Sequence, residues 1–206
     1  MKLLRSISPV LLAVCLSAGA ASAQSVYFGV GTTHLSSNGQ TIDTFGTGNT
    51  FGTPSMTGAF GKVGGDFMIT PHFGIGAETD FRFSQGAYAG LAYRPIFYDF
   101  NAIYTPIRSY KRVVPEFQGG LGAVNTRFFY PSQYCDAFAG CSSSNQFVES
   151  SNHFQVHMAA GVRFYATQHF FIRPQVDVHY VDNFFQFGSN WVPEYGASIG
   201  WRFGER

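Results

Sequence analysis

From Phe73 to Phe83 the chain alternates without a fault: Phe73, Ile75, Ala77, Thr79, Phe81 and Phe83 fall on one parity, Gly74, Gly76, Glu78, Asp80 and Arg82 on the other. A period of two marks a β-strand whose two faces meet different surroundings. Similar segregation predicts eight strands, over 25–34, 55–69, 73–84, 92–104, 113–128, 152–165, 170–181 and 191–203. The connections are short at Thr70-Pro71, from Thr105 to Lys111 and from Ala166 to His169. They are longer at 35–54, 129–151 and 182–190, with 85–91 intermediate. Tight turns on one side and long loops on the other predict an all-β protein, an eight-stranded antiparallel up-and-down transmembrane β-barrel with both termini at the tight-turn end.

The polar parity collects Lys62, Asp66, Glu78, Asp80, Arg82, Asp99, Glu116, Arg163, Arg173, Asp177, Glu194 and Arg202, together with Gln155, His157, Gln175 and His179. The other parity carries no charge until Arg94 at the outer rim. A Lys or Arg facing lipid at the bilayer midplane costs about 2–4 kcal/mol, so a bilayer would enforce this partition. The ionic residues are therefore expected to form a structural charge network inside the barrel. Glycines 64, 74, 76, 120, 122, 161, 196 and 200 lie largely among the same positions and leave room for long side chains in a narrow lumen.

Alternation alone does not say which face is inside, and a lipocalin-like soluble barrel would share it. Aromatic placement favours the membrane. Phe67, Phe73, Tyr104, Phe117, Phe164, Phe170, Trp201 and Phe203 would ring the turn end of the apolar face, and Phe81, Phe83, Phe154, Tyr180 and Tyr195 the loop end. Pro95, Pro115, Pro174 and Pro193 fall inside strands of a barrel that has no edge, and Pro174 is expected to require a bulge.

Composition agrees with this partition. Charged residues make up 12% of the 206 and aromatics 17%, against about 25% charged in soluble domains. Lys2 and Arg5, an apolar run from Ile7 to Leu16, and Ala21-Ser22-Ala23 read as a secretory leader over 1–23, ahead of a barrel domain over 24–206. A lipoprotein reading at Cys15 meets the bulky Val14. Of 13 basic residues the leader holds two, leaving eleven against 12 acidic ones, and no nucleic-acid partner is implied. Cys135 and Cys141 remain in an exported chain and suggest a disulfide closing a surface loop, the alternative being two free thiols.

Catalysis has one foothold. His34 and Ser36 share a strand face at the lipid boundary, the arrangement in which an imidazole could deprotonate a hydroxyl beside an acyl chain, but no third group to orient the histidine can be assigned. No cofactor or metal site is expected. His153 and His157 share a face, yet side chains four apart on a strand stand about 13 Å apart, too far for one ion.

Gly58-Ala59-Phe60-Gly61, Phe73-Gly74-Ile75-Gly76-Ala77-Glu78, Pro115-Glu116-Phe117-Gln118-Gly119-Gly120-Leu121-Gly122 and the closing Tyr195-Gly196-Ala197-Ser198-Ile199-Gly200-Trp201-Arg202-Phe203 carry a resemblance to the small bacterial outer-membrane β-barrels of the OmpA-like, OmpX and OmpW types. The resemblance implies location in a Gram-negative outer membrane, contact with its lipids and insertion by the barrel-assembly machinery. It also implies a structural or surface-interaction role without catalysis, with an extracellular ligand at the loops. Small or hydrophobic solute passage is the alternative, and lipid hydrolysis through His34 and Ser36 a further one. The chain ends at its eighth strand, so wall anchoring through an added periplasmic domain is not expected.

Overall fold

The computed structural model describes residues 24–35, 40–43, 46–107, 111–136, 140–184 and 187–204. The leader over 1–23 and Ser36 lie outside the described residues. Eleven strands occur among them: β1 (Gln24–Thr33), β2 (Thr41–Ile42), β3 (Phe51–Gly52), β4 (Ala59–Met68), β5 (Phe73–Arg82), β6 (Gly86–Tyr88), β7 (Leu91–Tyr104), β8 (Val113–Asp136), β9 (Gly140–Tyr165), β10 (Phe170–Val181) and β11 (Trp191–Phe203). Eight of them close into one antiparallel cylinder in the cyclic order β1, β4, β5, β7, β8, β9, β10, β11, with β11 returning to β1. β2 and β3 pair within the first long loop, and β6 folds back on β7 through Ala89-Gly90. Both turn residues have positive φ, as a two-residue hairpin requires.

Parity decides sidedness on every wall strand. Val26, Phe28 and Val30 of β1, Phe100 of β7, Leu121 of β8, Met158 of β9, Val176 of β10 and Ile199 of β11 all point outward and are exposed, Phe100 by 73%. A soluble surface does not carry such a continuous apolar belt. The residues between them on each strand face the inside of the cylinder, buried or, at glycines such as Gly29 and Gly120, half-buried.

Two of the tight turns share a spelling, Thr-x-His-Phe. Thr70 Oγ1 accepts the backbone N–H of Phe73 at 2.9 Å, and Thr167 Oγ1 that of Phe170 at 2.9 Å. His72 Nδ1 then donates to the Thr105 carbonyl at 2.8 Å and His169 Nδ1 to that of Arg202 at 3.0 Å, tying one turn to the β7–β8 connection and the other to the end of β11. These side-chain bonds satisfy backbone groups that a short turn would leave open.

Strands 170–181 and 191–203 agree with the sequence to the residue, whereas four features differ. β8 and β9 continue far past 128 and 152, so most of the expected loop 129–151 is a two-stranded hairpin, with one register shift at Phe128/Phe129. Beyond Phe129, where pairing to β7 ends, seven further residues of β8 carry it about 20 Å outward at the usual rise per residue. β4 begins at Ala59 rather than 55, because the preceding segment folds over the barrel mouth. The bulge expected at Pro174 is absent: the β9–β10 ladder skips Arg173 and Pro174 and resumes at Gln175↔Gly161 in unchanged register. An antiparallel residue directs its N–H and C=O to one neighbour only, so this proline interrupts one side of the ladder and still pairs with Ala197 on the other. Finally, Arg127 joins Arg94 at the outer rim, directly opposite it across β7 and β8.

Candidate functional site

The lumen is filled by side chains in three levels. Nearest the turns, Arg163 from β9 reaches Asp66 of β4 at 2.7 Å and Glu116 of β8 at 2.5 Å, while Ser25 Oγ donates to Asp66 at 2.6 Å. One level up, Arg173 of β10 bonds Glu78 of β5 at 2.8 Å and Glu116 at 3.1 Å, and its guanidinium lies 3.7 Å from the centroid of the Tyr27 ring. Glycine makes this stacking possible, since a Cβ on Gly64 would meet the Tyr27 hydroxyl at 2.3 Å. Gly200 leaves the same space for Phe171, which lies under Arg163.

The third level is centred on Lys62. Its ammonium is 2.8 Å from Glu78 and 2.9 Å from Asp177, with Asp80 at 3.5 Å and Glu194 at 3.6 Å. Asp177 also meets His157 Nε2 at 3.0 Å, and His157 Nδ1 lies 2.8 Å from Asn101 Oδ1. His157 and His179 are register partners on β9 and β10 and stack with centroids 4.7 Å apart. Asp99 accepts from Gln155 at 2.7 Å. From Asp66 through Arg163, Glu116, Arg173 and Glu78 to Lys62 and Asp177, one chain of ion pairs crosses the barrel interior. Lone buried charges would be costly, and mutual pairing in place of water is the physical reason such a lumen can exist.

Two of the sequence-selected basic residues work at the ends of the lumen. At the mouth, Arg82 donates to the carbonyls of Ser55 at 2.9 Å and Thr57 at 2.7 Å, tethering the segment before β4. At the turn end, Arg202 lies 5.9 Å from the Tyr165 ring centroid. Ser25, Tyr27, Asn101, Gln118 and Ser198 belong to the lumen and were not singled out by charge, although each sits on the inward parity and could have been found there.

Above the ionic levels the lumen turns apolar. Phe60, Tyr93, Phe97, Val124, Val181 and Val192 from the wall pack with Leu35, Met56, Phe184 and Phe187 from the loops, all buried. Phe184 and Phe187 stack at 4.0 Å, and Thr33 Oγ1 donates to the Met56 carbonyl at 2.6 Å. Among the described residues this plug fills the mouth, and the cavity nearest the turn end, between Asp66, Arg163 and Arg202, has a volume of only about 10 Å³, roughly one water.

Outside the mouth, Cys135 and Cys141 face each other across β8 and β9 and are joined by a disulfide. Residues 140–150 are exposed on both faces, and Tyr130, Phe147 and Val148 are each more than half exposed. His34 is exposed at the end of β1, where its backbone N–H donates to the Pro193 carbonyl at 3.1 Å.

No family model and no curated protein sequence matches the chain. Solved structures do. A major outer membrane protein from Thermus thermophilus superposes with a TM-score of 0.55 at 12% identity, covering 89% of this chain and 100% of the other. The outer membrane protein OprG from Pseudomonas aeruginosa gives 0.53 at 13%, covering 89% and 97%. Ail, the attachment invasion locus protein of Yersinia pestis, in complex with the heparin analogue sucrose octasulfate, gives 0.51 at 15%, covering 88% and 99%. At these identities the likeness is one of fold. The chain has the eight-stranded barrel architecture of the small bacterial outer-membrane proteins.

Proposed function

We propose that this chain is an integral outer-membrane protein, exported by the leader over 1–23, inserted by the barrel-assembly machinery and embedded in outer-membrane lipids. Its work is non-catalytic and lies at the cell surface, where the β8–β9 hairpin presents an extracellular binding surface. The observation that carries this reading is that the lumen is filled while one hairpin outgrows the wall. A sealed lumen disfavours solute passage, because eight strands leave room only for the barrel's own side chains.

The chemistry of the hairpin narrows its partner. Between 129 and 151 it carries Asp136 and Glu149 but no Lys or Arg, so a polyanion such as the sulfated ligand of Ail is a poor match. Serine, asparagine and glutamine beside Tyr130 and Phe147 offer adaptable hydrogen bonding around rigid aromatic anchors, the combination that serves uncharged protein and glycan surfaces well.

Replacing 131–147 by a two-residue turn tests the proposal. The barrel is expected to fold unchanged, while attachment of cells displaying it to an immobilised glycoprotein falls to background; undiminished attachment would count against the hairpin. Stable single-channel openings of the refolded protein in planar bilayers would replace this reading by transport. Lipid A deacylase or phospholipase activity that disappears in His34→Ala would replace it by hydrolysis.

A further inference from the structure

Of the four carboxylates around Lys62, only two receive its hydrogen bonds. Glu78 and Asp177 do, whereas neither oxygen of Asp80 or of Glu194 has a hydrogen-bond partner. His179 is buried beside them with both ring nitrogens equally unpartnered, its nearest acidic atom being Asp99 Oδ2 at 3.7 Å. All three side chains are fully buried. Lys62 stands 3.5 Å from Asp80 and 3.6 Å from Glu194 without a hydrogen bond to either, and leaving buried polar groups without hydrogen bonds costs about 1–3 kcal/mol for each neutral one and more for each charge.

We propose that Asp80, His179 and Glu194 bind one divalent transition-metal ion of the zinc type, captured while the barrel folds. Their ligand atoms already lie within 4.8 Å of one another. Tetrahedral zinc, with bonds of about 2.0–2.2 Å, holds its ligand atoms about 3.3–3.6 Å apart, so closure requires shifts of about an ångström. One imidazole nitrogen with two carboxylate oxygens is a donor set that zinc accepts. Two neighbouring triads, Asp99 with His157 and His179, and Glu78 with His157 and Asp177, are as close together. Their members are engaged, however: His157 by Asn101 and Asp177, Glu78 by Lys62 and Arg173.

Charge points the same way. The buried residues include seven carboxylates, Asp66, Glu78, Asp80, Asp99, Glu116, Asp177 and Glu194, against five cations, Lys62, Arg82, Arg163, Arg173 and Arg202. With every carboxyl ionised and the histidines neutral the difference is two negative charges, which one divalent ion would cancel. The three ligands come from β5, β10 and β11, so the spacing limit along one strand does not apply; closure of the cylinder brings them together.

The test is to refold the full chain into detergent micelles with zinc chloride or with a chelator, remove loose metal by gel filtration in EDTA, and measure zinc by mass spectrometry. We expect about one zinc per folded barrel, retained in EDTA until the protein is denatured, and lost in Asp80→Asn, His179→Gln and Glu194→Gln. His169→Gln, at the turn end against Trp201, should retain it. A folded wild type without zinc overturns the proposal, as does zinc retained in all three variants. Should the variants not fold, X-ray absorption on zinc-loaded wild type decides: a shell of one imidazole nitrogen with carboxylate oxygens supports the site, and an all-oxygen or multi-histidine shell overturns it.

Discussion

The middle of the lumen and its mouth lie on the same inward parity of the same strands, yet one is ionic and the other apolar. They meet where Phe97 lies 4.7 Å from His179. Below that level, among the described residues, the partners come from the walls, and charges drawn from opposite strands satisfy each other. Above it loops fold in from outside, and Leu35, Met56, Phe184 and Phe187 bury themselves against Phe60, Tyr93 and Val192 as in the core of a water-soluble protein. The contrast teaches that an inward position in this barrel is not a demand for polarity. It is a demand for whatever chemistry its cross-lumen neighbours can complete.

That contrast can be broken from either side. Lys62→Met removes the shared counter-charge of four buried carboxylates and should cost about 5 kcal/mol, the upper end for breaking a buried ion pair, read as a collapse of the urea midpoint of the refolded barrel. Phe97→Ala opens a void at the boundary and should cost about 3 kcal/mol in the same titration. Arg82→Met should cost about 2 kcal/mol, since it loses charged hydrogen bonds to two backbone carbonyls; hydrogen exchange should speed up over 53–58 while the central wall stays protected. Cys135→Ser with Cys141→Ser should leave barrel unfolding unchanged and only hasten proteolysis within the exposed hairpin. A large loss of barrel stability in the last variant would show that hairpin and wall are one cooperative unit.

The wall was legible in sequence because a bilayer outside and a packed lumen inside impose opposite demands on successive residues. Phe73 to Arg82 and Trp191 to Phe203 display this without ambiguity. The outer half of the β8–β9 hairpin was not legible, because residues 140–150 are exposed on both faces and nothing enforces alternation there. Pro174 misled for a related reason: a proline inside a strand reads as a defect, but with Ala197 still paired on its other side the ladder needs no extra residue to absorb it. The apolar plug was hidden because Phe60, Tyr93 and Phe97, taken one at a time, resemble members of the lipid-facing set.

By itself the amino-acid order determined how many strands the wall has, which of their residues look inward, and that the outer surface is oily. Those are local properties, set by a two-residue period and by the cost of charge in hydrocarbon. Only the closed structure decided which inward residues meet. His157 faces His179, Arg173 bridges Glu78 and Glu116, and Asp80 stands beside Glu194, through contacts set by strand register around the cylinder and by loops that return to fill its mouth. Alternation along a strand carries no information about neighbours half a circumference away.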